Sequence, residues 1–144
     1  MTSKTKPNVL FWIIALVFLL WNLIGLAFFF TEVFASEMIV AQMNEEQAQM
    51  YADRPAWYMG NYAVAVFSGV LACIALLFKN RSAVWLSGIS FIALIISTIY
   101  NFSIGAWEMV EASDQLMFLL VPIFGLILFL YALFARKKGW LGKL

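Results

Sequence analysis

The chain has 144 residues, of which 65% are hydrophobic and 12% charged, and its mean hydropathy is +0.92. Soluble domains average about half apolar and a quarter charged, so this composition excludes an ordinary soluble domain and describes an integral membrane protein. A net charge of +1, no histidine and a single cysteine, Cys73, leave no basic footprint for nucleic acid, no usual haem or zinc ligand and no thiol pair.

Residues 1–8 are polar and include Lys4, Lys6 and Pro7. From Val9 to Phe30 the chain is uncharged, and at about 1.5 Å per helical residue that run crosses a hydrocarbon core of roughly 30 Å. A cleaved signal peptide is the rival interpretation, since basic residues precede the run and Val33-Phe34-Ala35 follows it. Its apolar region would be only about 7 to 15 residues, so a first membrane span is the better one.

The long loop over 31–56 carries Glu32, Glu37, Glu45, Glu46 and Asp53 against one base, Arg54. Asn44-Glu45-Glu46-Gln47 has the form of a helix start, in which Asn44 accepts from a free backbone amide and Gln47 reaches back. Two glutamates in the first turn suit the positive end of the helix dipole. Pro55 stops the helix. Ile39, Met43 and Met50 recur at spacings of four and seven, which predicts one short amphipathic helix lying on the membrane or on the top of the bundle.

Trp57 to Phe78 is the second predicted span and ends in the basic turn Lys79-Asn80-Arg81-Ser82. Ala83 to Phe102 is the third. A loop over 103–114 with Glu108, Glu111 and Asp114 leads to the fourth, Gln115 to Phe134, which contains Pro122 and Gly125. Four spans with short connections predict an all-α fold, an integral membrane antiparallel four-helix bundle forming a single domain.

In this topology Lys4, Lys6, Lys79, Arg81, Arg136, Lys137, Lys138 and Lys143 share one side, and all eight carboxylates share the other. The positive-inside rule then places both termini in the cytoplasm, with Arg54 the one base out of place. Trp57 and Trp107 mark the outer interface, and Trp12, Trp85 and Tyr131 the inner one. In the basic tail, Trp140 and Leu141 between charges suggest an anchor on anionic lipid.

No Asp, Glu, Lys or Arg lies within the hydrocarbon part of any predicted span. Such groups usually mark proton relays and ion-coupled carriers, so their absence weakens those functions and an enzymatic one. The polar groups at depth are amides and hydroxyls. Ser87, Ser90, Ser97 and Asn101 form one stripe on the third helix. Asn61, Ala65, Gly69 and Cys73 form a small-residue face on the second. Both patterns are first of all packing seams, held by interhelical hydrogen bonds worth roughly 0.5 to 2 kcal/mol each. With nothing cationic beside it in sequence, Cys73 is a small buried residue.

Asn22, Asn61 and Asn101 fall in the same outer half of the bundle, which predicts a site for a small neutral ligand. Its walls would come from Trp21, Tyr62 and the cluster from Phe28 to Phe30, and Ser97 belongs to the same level. The site opens toward Glu32 and the long loop, which serves as a lid. Glu32, Glu37, Glu108, Glu111 and Asp114 are oxygen donors of the kind hard cations take, but their spacing matches no metal motif and a solvated face is the simpler interpretation. No metal or cofactor is expected. The expected partners are the lipid bilayer, a second copy or another membrane protein, and the neutral ligand.

Trp21-Asn22-x-x-Gly25, then Glu45-Glu46-Gln47-x-x-x-Tyr51-x-x-x-Pro55-Ala56-Trp57, then a small-residue span ending in a basic turn together resemble a group of short bacterial four-span proteins. These are often labelled sugar transporters and are DoxX-like in general shape. The resemblance implies a bacterial cytoplasmic-membrane protein and puts emphasis on Trp21, Asn22, Pro55 and Trp57, with no assigned roles to carry over. Two functions follow: an inner-membrane accessory or binding protein, and a permease for a small neutral solute such as a sugar. Four helices hardly enclose an alternating-access path, so the permease implies an oligomer.

Overall fold

The computed structural model describes residues 6–142, so Lys4 and Lys143 of the charge map lie outside the described residues. Those residues fold into six α-helices: α1 (Val9–Phe34), α2 (Ser36–Ala41), α3 (Glu45–Ala52), α4 (Ala56–Leu77), α5 (Ser82–Ser103) and α6 (Ala112–Lys137). A 3-10 turn over Ala106–Met109 precedes α6. α1, α4, α5 and α6 are long and apolar enough to cross a membrane.

The local signals explain where the helices begin and end. The Asn8 side chain accepts from the Phe11 amide at 3.0 Å and caps α1. At the other end α1 runs past the expected Phe30 to Phe34, taking Thr31 and Glu32 into its last turn. The loop is two short helices rather than one, because Asn44 leaves helical geometry to cap α3 (ψ 174°) and so separates it from α2. Asn44 accepts from the Gln47 amide at 2.8 Å while the Gln47 side-chain oxygen accepts from the Asn44 amide at 3.2 Å, a reciprocal capping box. Pro55 stands at the N-cap of α4. α6 starts at Ala112, three residues before the expected Gln115, and ends at Lys137. Asp114 in its first turn and Arg136 and Lys137 in its last suit the helix dipole and support the added turns.

α4 packs on both α1 and α5, and α6 packs on α5. The α4–α5 turn requires a left-handed residue, Lys79 (φ 54°), and Asn80 accepts there from the Ser82 amide at 2.8 Å. Small residues let the helices approach. A side chain on Gly69 would collide with the Asn22 amide oxygen, and a Cβ on Gly125 would sit 2.7 Å from a Leu94 methyl.

The core lies at the basic end. Phe11, Ala15, Ala72, Cys73 and Leu76 are buried there with Leu128, Ala132 and Leu141. Phe11 packs edge-on against Trp12 and Trp140 at 5.1 and 5.5 Å and stacks on Tyr131 at 6.1 Å. The tail, expected to anchor on anionic lipid through Trp140 and Leu141, folds back so that Leu141 joins this core. Leu141 is only 5% exposed, and the Gly142 amide donates to the Lys79 carbonyl at 2.5 Å. The Trp140 indole meets Phe11 and Phe134 edge-on, each at 5.5 Å. Around the outside, Leu16, Leu20, Val64, Leu71, Ile92, Ile99, Ile123 and Leu130 form exposed apolar ridges that none of the described residues cover.

Candidate functional site

At the acidic end the helices part and enclose a cavity of about 670 Å³. Its back wall is built by α4 and α5, with Tyr58, Tyr62, Ala65, Ser90, Ser97 and Asn101. Trp21, Asn22, Ile24, Gly25, Phe28 and Glu32 of α1 form one flank, and Met117, Phe118, Val121 and Pro122 of α6 form the other. Ile39 of α2, Met43 of the turn, and Gln47, Met50 and Tyr51 of α3 roof it. Trp21, which lines the cavity, meets Phe124 of α6 edge-on at 4.5 Å.

Among the residues singled out from sequence, Trp21, Asn22, Glu32, Tyr62, Ser97 and Asn101 all line this cavity. Asn61 does not. Its amide nitrogen donates to the Ala93 carbonyl and to the Ser97 hydroxyl, both at 2.8 Å, and so joins α4 to α5 behind the wall. A position about one and a half turns inside the helix end places an amide at the right depth, but the facing is set by the neighbour it meets. The serine stripe divides in the same way. Ser87 bonds back to Ala83 and Val84 in its own helix, Ser90 donates across to Ala65 at 2.7 Å, and Ser97 receives Asn61.

The polar groups facing the cavity are unevenly committed. The Asn22 nitrogen donates to the Phe18 carbonyl at 2.8 Å and to the Cys73 sulfur at 3.5 Å. The Asn101 nitrogen donates to the Tyr58 hydroxyl at 3.1 Å, and Thr98 donates back to Leu94 at 2.8 Å. These donors are occupied, whereas the amide oxygens of Asn22 and Asn101 receive no hydrogen bond from the described residues.

Arg54, the base that breaks the charge map, has a structural explanation at the mouth. Its guanidinium pairs with Glu32 at 3.3 Å and lies over the rings of Tyr51 and Tyr58, 4.5 and 4.3 Å from their centroids. The cation is thus met by two aromatic faces and a carboxylate, with part of the guanidinium left open to solvent. Burial pushes the Tyr51 phenol above its ordinary value, and the charge of Glu32 adds to the rise while Arg54 opposes it. Gln47, besides capping α3, donates to the Met109 carbonyl at 2.8 Å, and Gln115 donates to the Trp107 carbonyl at 3.0 Å. The lid is therefore tied to α1 by an ion pair and to the 3-10 turn by an amide. Arg54 was legible in the sequence as an exception to the charge pattern. Tyr58 and the α6 flank had no such signal.

The other carboxylates do not gather: among the described residues no group of three or more potential ligands could hold a metal ion. Comparison of the chain with protein-family models, curated proteins and solved structures gives no match.

Proposed function

We propose that this chain is a multi-pass protein of the bacterial cytoplasmic membrane, an antiparallel four-helix bundle that binds a small neutral ligand in the outer half of the membrane, as an accessory or binding subunit beside a second copy or another membrane protein. Four helices of spanning length and the uncovered apolar ridges around them support the membrane setting. The basic residues of the α4–α5 turn and the α6 end support cytoplasmic termini. One observation carries the binding function: residues chosen for their chemistry along three separate helices line one cavity, whose walls are apolar and whose polar groups are few. A volume of about 670 Å³ lies within the roughly 300–1,000 Å³ of small-molecule sites.

The test is thermal unfolding in detergent with a panel of neutral solutes and lipids, on the natural chain and on Ser97→Leu, which fills the back wall. At least one compound should raise the melting temperature of the natural chain and leave the variant unmoved. A panel without effect on either would remove the binding function. A reporter fused after Leu144 should be active only in the cytoplasm.

The alternative is an oligomeric permease for a neutral solute such as a sugar, which the likeness to four-span proteins labelled sugar transporters suggests. It requires a path past Trp21 and Phe124 and through the packed end. Uptake of labelled sugar into liposomes containing the protein distinguishes the two.

A further inference from the structure

The cavity has two different boundaries. Toward the acidic end it is roofed by α2 and α3, held down by Glu32–Arg54 and Gln47–Met109. Between α1 and α6 the closure is different. These helices meet through Phe11 and Tyr131 at the basic end and through Trp21 and Phe124 below the cavity. Above that level each lines the cavity separately, and the lining residues Ile24, Phe28 and Met117 are 54, 59 and 41% exposed. The opening is thus a lateral one with an apolar rim. Ile24 and Phe28 lie within the uncharged run of α1, so in a bilayer this opening faces hydrocarbon.

The chemistry inside narrows what enters. Glu32 and Arg54 neutralise each other, leaving Asp114, exposed at the rim, as the remaining charge in the lining. An anionic headgroup has no free cation to meet there. Among the described residues the amide oxygens of Asn22 and Asn101 accept no hydrogen bond and their amide nitrogens are occupied, while the hydroxyls of Tyr58, Tyr62 and Ser97 donate none. A sugar brings many hydroxyls, and each would have to pass the apolar rim of Ile24, Phe28 and Met117 without a partner. A single hydroxyl on an apolar body can be satisfied.

We propose that the ligand is a neutral, lipid-borne alcohol, an apolar chain ending in a hydroxyl, which enters from the bilayer between α1 and α6 and donates its hydroxyl proton to the Asn22 or Asn101 carbonyl. This rests on the binding function above and deepens it by naming the ligand class and the route.

The test uses the full chain in phosphatidylcholine vesicles with a long-chain alcohol carrying a diazirine in its chain, crosslinked by light and mapped by mass spectrometry. Saturable labelling of Ile24, Phe28 or Met117 is expected, displaced by hexadecanol and not by hexadecane or glucose. Val121→Trp, one turn from Met117 on the same face of α6, should abolish labelling, and Leu126→Trp on the exposed side of α6 should not. Met117→Trp serves as the second rim variant if Val121→Trp melts early. Equal displacement by hexadecane overturns the hydroxyl recognition. Labelling that survives both rim variants overturns the lateral route. Displacement by glucose, with the rim variants silent, overturns the lipid ligand while leaving a binding cavity intact. If no probe labels the cavity and no solute shifts melting, the cavity binds nothing and both proposals fall.

Discussion

The two ends of this molecule are made from similar residues and pack in opposite ways. At the basic end Phe11, Leu76, Leu128 and Leu141 close on one another, alanines at Ala15, Ala72, Ala132 and Ala135 bring the backbones together, and the tail returns to seal the space. At the acidic end Trp21, Phe28, Met117 and Phe118 stand around a void. The difference lies in side-chain size where helices face each other and in what is used to close the end. A solid end is closed by apolar packing; a hollow end is closed by a roof held through an ion pair and a few amides. Packing of that first kind is hard to reverse locally, whereas a roof held by a few polar contacts opens at lower cost.

If this contrast is right, truncations at the basic end should be the most damaging. Phe11→Ala removes a fully buried ring with three aromatic neighbours and should cost about 3–5 kcal/mol in reversible unfolding in detergent. A loss no greater than that of an outward-facing residue would contradict the assignment of the core to this end. Gly69→Val should cost somewhat less, about 1–3 kcal/mol, by driving a side chain into Asn22. Because Asn22 is the atom group in the way, Asn22→Ala in the same chain should recover part of the loss. Additive losses would show that the two helices are not in contact at this point.

At the hollow end the effects should be smaller and should appear as opening rather than unfolding. Arg54→Ala removes the partner of Glu32 and should cost about 1–2 kcal/mol, since the pair is neither fully buried nor fully exposed. Its sharper readout is thiol labelling of Met43→Cys under the roof, which should accelerate in the Arg54→Ala background; the buried Cys73 gives little reaction of its own. Gln47→Ala, which breaks the capping box and the tie to Met109, should cost about 1 kcal/mol and accelerate the same labelling more weakly. The smallest effect belongs to Ile99→Ala on the outward face of α5, expected within about 0.5 kcal/mol.

Much of this architecture is legible along the chain. The uncharged runs delimit four long helices because an apolar segment of that length has few alternatives to helix, where every backbone group is bonded within the segment. The Asn44 cap and the Pro55 stop are local chemistry and appear where the residues require them. Depth is also a local property, so Asn22, Ser97 and Asn101 could be placed in the same outer half of the bundle from their distance to a helix end. Direction is not local in this sense. Rotation of an apolar helix about its axis is weakly specified when most of its faces are hydrophobic, and that is why Asn61 turned out to serve α5 rather than the cavity.

What the sequence by itself determined is the four long helices and their approximate extents, the cap and stop of the loop helix at Asn44 and Pro55, the separation of charge between the ends, and the half of the bundle in which the amides occur. Only the tertiary structure decided that Arg54 belongs to Glu32, that Leu141 belongs to the core, and that one end is filled and the other hollow. Each of these depends on contacts between residues far apart in the chain, where the sizes of two facing side chains, and not the hydropathy of either, set whether helices touch or leave a space.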